Sequence, residues 1–250
     1  MNVAIVGYGR MGRMVESVAS NFPDVSVVSR IDPVAIDADY KTLSPESLEK
    51  ADVAIDFSSA DAGFDNARYY STNDIPAVIG TTGWYESVES VEERLLGRGR
   101  LLISGNFSIG IALFLKLVEC SGRLFNKFPI YDVAVQETHH RLKKDAPSGT
   151  AMMIAEKLVD EIDRKKEATN STSPSEDQLE VSSLRLGSVV GMHSVLFDSP
   201  FDSITLTHDA KDRSAFARGA LESAIWLLKQ EDGIYSFQNY MDSLFQEGLR

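Results

Sequence analysis

The densest run of reactive side chains is Glu137-Thr138-His139-His140-Arg141-Leu142-Lys143-Lys144-Asp145-Ala146-Pro147-Ser148-Gly149-Thr150, which holds two of the chain's four histidines. Imidazole titrates near neutrality, so it is the side chain best suited to giving and taking protons at physiological pH. Adjacent residues at a strand end point in different directions, so one histidine can transfer protons while the other contacts substrate. Arg141, Lys143 and Lys144 follow at once, and this concentration of positive charge is relieved when a small dianion binds. Ser148 can cap a helix, Gly149 lets a ligand approach the backbone, and Thr150 adds a hydroxyl at the positive end of the dipole, together the outline of a carboxylate cradle. A basic surface loop before a capped helix is the plainer reading. His139 and His140 lack the spacing of a helical metal-ligand pair and have no cysteine nearby, so no metal is expected.

A second such segment lies near the start. Gly7-Tyr8-Gly9-Arg10-Met11-Gly12 follows a short aliphatic run and leads into an amphipathic one. In that context the first glycine permits a tight turn, the second lets backbone approach a pyrophosphate, and the third lets helix pack on strand, while the helix start offers unpaired N–H groups. Asp32 lies twenty residues beyond Gly12 at the end of the next aliphatic run, where a carboxylate can accept hydrogen bonds from a ribose. Arg10, Arg13 and Arg30 are each able to meet phosphate. Asp32 favours NADH and Arg30 favours NADPH, so both remain open. Asp56-Phe57-Ser58, Gly80-Thr81-Thr82-Gly83 and Gly105-Asn106-Phe107-Ser108 end three later runs and share the pocket if the sheet is parallel, although small polar residues are also what ordinary turns prefer.

These residues need a scaffold, and the first hundred positions supply its pattern. Val3 to Val6, Val25 to Ile31, Val53 to Phe57, Ala77 to Ile79 and Leu101 to Ile103 are compact aliphatic runs, as expected of parallel strands covered on both faces. Met11, Met14, Val15, Val18 and Ala19 form one apolar helical stripe, so core packing accounts for the methionines. From about Ile109 the pattern becomes a helix to Phe125, a strand from Tyr131 to Thr138 and a helix from near Thr150. Strands at Val181 to Leu186, His193 to Phe197 and Ile204 to Thr207 follow, mixing apolar with polar residues as a sheet with one less-buried face does. Asp163 to Gln178 has almost no apolar side chains and reads as a mobile loop. A last helix, Ser214 to Leu228, carries its apolar residues on one side.

With 250 residues, of which 43% are hydrophobic, the chain can bury one large core or two modest ones. Its net charge of −12 argues against nucleic acid and anionic membrane as partners. Cys120, the single cysteine, reads as a core filler and demands no oxidising compartment. Met1 to Val6 lacks a basic lead or signal-like apolar core, and no run approaches a membrane span, which predicts a cytoplasmic protein.

In order along the chain, Gly7 to Arg13, Gly80 to Gly83, Asn106 to Ser108, Glu137 to Thr150, Arg185-Leu186-Gly187, Gly191-Met192-His193, Thr207-His208 and the helix from Arg213 to Leu227 resemble the signatures of the 4-hydroxy-tetrahydrodipicolinate reductase family, formerly called dihydrodipicolinate reductases. The likeness spans nearly the whole chain, and the HHRxK…DAPSGT segment is far more specific than the glycine turn. It implies reduction of 4-hydroxy-tetrahydrodipicolinate by NADH or NADPH with loss of water, a step of diaminopimelate and lysine biosynthesis. It also implies that His139 is the acid-base residue assisted by Lys143, and that His140, Ser148, Gly149 and Thr150 hold the substrate carboxylates. By the same resemblance Gly7, Gly9, Arg10, Met11, Gly12, Asp32 and Phe57 hold the dinucleotide, with Gly80, Thr81, Thr82, Asn106 and Phe107 at its nicotinamide end. Met192 and Leu142 depart from the family's usual residues, which bears on local hydrogen bonding. Family members are homotetramers built through the second domain's sheet.

The expected architecture is α/β: a Rossmann-like parallel-sheet nucleotide domain, residues 1–110 completed by 214–250, and a second α+β domain on an open mixed sheet, residues 111–213, for substrate binding and oligomerisation. Hinges are expected near Gly110 and Arg213, with closure excluding water from hydride transfer. Two rivals are another NAD(P)-dependent amino-acid or polyol dehydrogenase of similar fold, against which His139, Lys143 and the Pro147 to Thr150 turn argue, and a non-catalytic NAD(P)H-sensing protein, which would bind nucleotide without turnover.

Overall fold

The computed structural model describes residues 1–86, 88–95 and 99–248, so residues 249–250 of the expected 214–250 segment lie outside the described residues. The chain divides into two units, Met1–Ile109 with Arg213–Arg250, and Gly110–Asp212.

In the first unit, β1 (Asn2–Val6), β2 (Ser26–Ile31), β3 (Val53–Asp56), β4 (Ala77–Ile79), β5 (Arg100–Ile103) and β11 (Gly233–Ser236) form one sheet in the order β11-β5-β4-β3-β1-β2. Every pairing in it is parallel. The aliphatic runs explain this: Ile5, Ile55, Ile79, Leu101, Leu102 and Ile103 are all fully buried, each worth about 1.5–3 kcal/mol of transfer free energy. Helices α1 (Arg10–Ala19), α2 (Pro45–Leu48), α3 (Ala60–Thr72), α4 (Val88–Leu95), α7 (Ser214–Leu227) and α8 (Phe237–Gly248) connect and cover the strands. The late helix α7 lies against α1 and touches β3, β4 and β5. Strand order reverses at β1, which pairs with β2 on one side and β3 on the other. Connections leaving in opposite directions open a crevice beyond the strand ends, the usual ligand position in such sheets.

In the second unit, β6 (Asp132–His139), β7 (Glu167–Thr169), β8 (Gln178–Arg185), β9 (Gly191–Asp198) and β10 (Ser203–Ala210) form a mixed sheet in the order β10-β9-β6-β8-β7. β9 runs antiparallel to both neighbours, while β6, β8 and β7 are parallel. Helices α5 (Ile109–Asn126) and α6 (Gly149–Glu161) supply Phe114, Val118, Ile154 and Leu158 to a core with Val135, Val181, Val195 and Phe197. No described helix is long and apolar enough to cross a membrane.

Two expectations are corrected. Asp163 to Gln178 is not a structureless loop: β7 lies within it and pairs with the start of β8. Beside it Lys165, only 4% exposed, donates to the carbonyls of Glu176 and Gln178, each at 2.9 Å, and pairs with Asp132 at 2.8 Å. Backbone pairing and a saturated cation order this segment, and neither leaves an apolar signal. Cys120 is exposed, because α5 buries Phe114, Val118, Ser121 and Gly122 and its helical phase turns position 120 outward.

Candidate active site

The first unit's crevice begins at Gly7, whose φ of +83° suits glycine and where a Cβ would stand 2.4 Å from the Phe57 carbonyl oxygen. A Cβ on Gly12 would stand 2.3 Å from the Gly7 oxygen, whereas one on Gly9 would meet nothing within 4 Å. Two of the three glycines thus serve close packing, and the third faces open space at the start of α1, where no side chain caps the helix. Asp32, just beyond β2, accepts the N–H groups of Tyr8, Val34 and Ala35, each at 2.8 Å. Burial pushes its carboxyl up, but these three donors outweigh that and hold it below the ordinary range, hence ionised. One Asp32 oxygen carries a single donor, so it can accept another.

A cavity of about 650 Å³ opens here, within the size of small-molecule pockets. Gly7, Gly9, Asp32 and Phe57 line it together with Val34, Lys41 and Asn66, whereas Arg10, Met11, Gly12, Gly80, Thr81, Thr82, Asn106 and Phe107 do not. Phe107 is 1% exposed, its ring set edge-on against Phe57 and Phe237, so its side chain belongs to the core. Thr81 is buried and donates to Asp56 at 3.2 Å. The fully buried Asp56 also takes bonds from Ser58, Asn66 and Tyr70, tying the third and fourth strand-end turns together. Of the basic residues near the turn, Arg13 pairs with Asp37 at 2.6 Å and Arg30 with both Glu16 and Asp39. Arg10 is exposed.

In the second unit the polar centre is the end of β6. Glu137, Thr138 and His139 are buried at its C-terminal end, and His140 is half-buried just beyond. Register brings three residues from other strands to Glu137: Ser183 stands opposite it on β8, His193 opposite it on β9, and Arg185 opposite His139. Glu137 Oε1 accepts from the Ser148 N–H at 3.1 Å, the Ser183 hydroxyl at 2.7 Å and the Arg185 guanidinium at 3.1 Å. Burial alone would raise this carboxyl, yet those donors and the neighbouring His139 hold it below the ordinary glutamate range. Ser148 caps α6, accepting from the Ala151 N–H at 3.2 Å, and its hydroxyl lies 3.4 Å from His193 Nε2. The N–H groups of Gly149 and Thr150 open α6 outside its internal ladder, Gly149 is exposed, and a Cβ there would meet nothing within 4 Å.

Lys143 pairs with Asp145 at 2.9 Å, and its backbone N–H returns to the His140 carbonyl at 3.1 Å. Burial lowers the His139 pKa, with Glu137 opposing and Lys143 and Arg185 adding to the shift. His193 is pushed down to about 4, chiefly by burial and then by His139. Of the departures, Leu142 is exposed and Met192 half-buried opposite Thr138. Glu137, His139 and His193 bring three donor atoms within 4.8 Å of one another. Arg185, bonded to the same carboxylate, opposes a dication there. Sequence reading assigned no role to Glu137, Ser183, Arg185 or His193. Their advance signals are strand alternation, which puts Glu137 and His139 on the same face of β6, and the places of Glu137, Arg185 and His193 inside the family's motifs.

A parallel nucleotide-type sheet with a glycine turn, joined in one chain to a mixed-sheet unit bearing a buried imidazole beside an open helix start, defines a pyridine-nucleotide-dependent reductase. Residues 1–107 match the family described as "Dihydrodipicolinate reductase, N-terminus" and residues 110–241 that described as "Dihydrodipicolinate reductase, C-terminus". The chain belongs to the dihydrodipicolinate reductase family. It is 37% identical over 244 residues to the 4-hydroxy-tetrahydrodipicolinate reductase of Methanoculleus marisnigri, covering 93% of this chain and 95% of that one. With the Christiangramia forsetii protein of the same name it shares 33% over 247 residues, 98% of this chain and all of the other. Among solved structures, the dipicolinate-bound dihydrodipicolinate reductase from Paenisporosarcina sp. TG-14 shares the fold with a TM-score of 0.73 at 24% identity, over 94% of this chain and 97% of that one.

Proposed function

We propose that this chain reduces 4-hydroxy-tetrahydrodipicolinate to tetrahydrodipicolinate, consuming one reduced nicotinamide and one proton and releasing water, in diaminopimelate and lysine biosynthesis. The observation that carries the reading is that Glu137 links an acid-base group to an open carboxylate cradle in one unit, standing 3.2 Å from His139 Nδ1 and accepting the N–H of Ser148 at the start of α6 at 3.1 Å. A reduced dinucleotide held by Gly7, Gly9, Arg10, Met11, Gly12, Asp32 and Phe57, with Gly80, Thr81, Thr82, Asn106 and Phe107 at its nicotinamide end, would supply hydride to C4 of the ring. His139 delivers the proton to the adjacent carbon, a task for a group that titrates near neutrality. Lys143 assists as proton donor or electrostatic stabiliser. His140, Ser148, Gly149 and Thr150 hold the two carboxylates through ring, hydroxyl and backbone donors. The first unit is the nucleotide domain and the second the substrate and assembly domain of a cytoplasmic homotetramer.

NADH is the preferred donor. Asp32 stays ionised within the cavity and repels a 2′-phosphate, while Arg13 and Arg30 are already committed to carboxylates. Freshly made product of the preceding synthase, supplied with NADH and NADPH in parallel while their absorbance is followed, tests both statements. Substrate-dependent oxidation, faster with NADH, is expected. Nucleotide binding without such oxidation would leave a sensing protein instead.

A further inference from the structure

The end of β6 holds two buried polar atoms with no hydrogen-bond partner, Glu137 Oε2 and His139 Nδ1, and they face each other at 3.2 Å without hydrogen-bond alignment. All three donors to Glu137 arrive on Oε1, so the carboxylate is anchored on one side and bare on the other. An unsatisfied carboxylate oxygen is costly in a buried site, and a small rotation of the neighbouring ring satisfies both atoms with a single proton. His193 Nε2 stands farther off, at 3.9 Å, and has the Ser148 hydroxyl as a nearer neighbour. The other edge of the His139 ring faces Gly191, where a Cβ would stand 3.0 Å from Nε2. The absence of a side chain there leaves room at that atom.

We propose that Glu137 is a positioning residue, which holds a proton-bearing His139 Nδ1 through Oε2 and so makes Nε2 the ring atom that meets the reacting proton. This deepens the reading of His139 given above and rests on it only for the kinetic consequence. A neutral imidazole bears its proton on one nitrogen or the other, and the hydrogen bond made by one atom decides the state of its opposite. The charged and titratable groups facing His139 are Glu137 on β6, Arg185 on β8, His193 on β9, and Lys143 and Asp145 from the loop beyond β6. Among them only Glu137 presents a bare acceptor to Nδ1 at hydrogen-bond range. The register that places Glu137 two residues before His139 on the central strand, between Ser183 and His193, makes this a property of the sheet.

The test begins with nitrogen-15 NMR of the histidine rings in the intact protein above neutral pH, the His139 signals being assigned by their loss in His139→Gln. A proton on Nδ1 is expected, and a proton on Nε2 would overturn the proposal whatever the enzyme turns over. In Glu137→Gln an amide N–H can face Nδ1, and the proton is expected to move to Nε2. In that variant kcat should fall by roughly 100-fold or more, the size seen when an acid-base histidine is held in the wrong tautomer, with KM within about threefold. In a His139→Gln background the same change should cost almost nothing further. An equal loss in both backgrounds, or a loss confined to KM, would make Glu137 an anchor for the Ser148 turn alone. Should Glu137→Gln not fold, the spectrum of the unaltered protein still decides.

Discussion

The Tyr8 N–H donates to Asp32 Oδ2 at 2.8 Å, so the glycine turn and the end of the second strand are fastened by the carboxylate that also lines the cavity beside that turn. Because Oδ1 takes the Val34 and Ala35 donors, Oδ2 is the atom left to accept a ribose hydroxyl. Replacing Asp32 by Ser is therefore expected to raise the KM for NADH about tenfold, the worth of one charge-assisted bond. NADPH, no longer repelled, should lose little or gain. Steady-state kinetics with both nucleotides measure the ratio, and an unchanged ratio would remove Asp32 from cofactor selection.

The glycine turn allows packing and binding to be separated. Gly12→Ala drives a Cβ to 2.3 Å from the Gly7 oxygen, and a loss of about 1–3 kcal/mol or more in urea unfolding is expected from such overpacking. Gly9→Ala meets no protein atom within 4 Å, so stability should change by under about 1 kcal/mol. NADH affinity, followed by fluorescence titration, should still weaken, because the added methyl occupies the approach of the pyrophosphate. Normal affinity in Gly9→Ala would place the dinucleotide elsewhere.

In the second unit, His139→Gln is expected to lower kcat by roughly 100-fold or more while leaving NADH affinity nearly intact. Lys143, held at 2.9 Å by Asp145, is expected to act on both binding and rate, so Lys143→Ala should raise the substrate KM and lower kcat together. Full turnover in the first variant, or an unaltered KM in the second, would contradict the roles given to them.

Acid stability should carry the mark of His193. Its imidazolium is pushed down from an ordinary 6.5 to about 4, mainly by burial. Between those values the unfolded chain binds a proton that the folded chain refuses, so folding stability falls as the pH drops through this window. The full loss is about 3 kcal/mol. Urea unfolding at pH 7.5 and 4.5 measures it, and His193→Gln should flatten the difference. An equal slope in the variant would assign the acid sensitivity to other groups.

Local patterns along the chain were enough for most strands of the two sheets, the glycine turn and the basic loop before α6. Short, β-branched aliphatic runs such as Val53 to Ile55 fit buried strands by their length and composition, and a glycine turn between strand and helix is a local arrangement whose geometry is set by its own residues. The late pieces were harder to read: β11 and α8 were missed because Gly233 to Ser236 is short and becomes a strand only by pairing with β5. Lys165 falls in the segment that reads as a mobile loop, and nothing nearby in sequence announces the carbonyls and Asp132 that surround it. His139 was legible as a residue type in a basic loop, but its environment was not. Ser183, Arg185 and His193 reach Glu137 through strand register, and register is settled by which faces the whole sheet buries. The sequence alone thus determined the kinds of groups present and the elements that carry them, whereas the tertiary fold decided which hydroxyl, guanidinium and second imidazole gather on Glu137, because that grouping depends on contacts between strands more than forty residues apart in the chain.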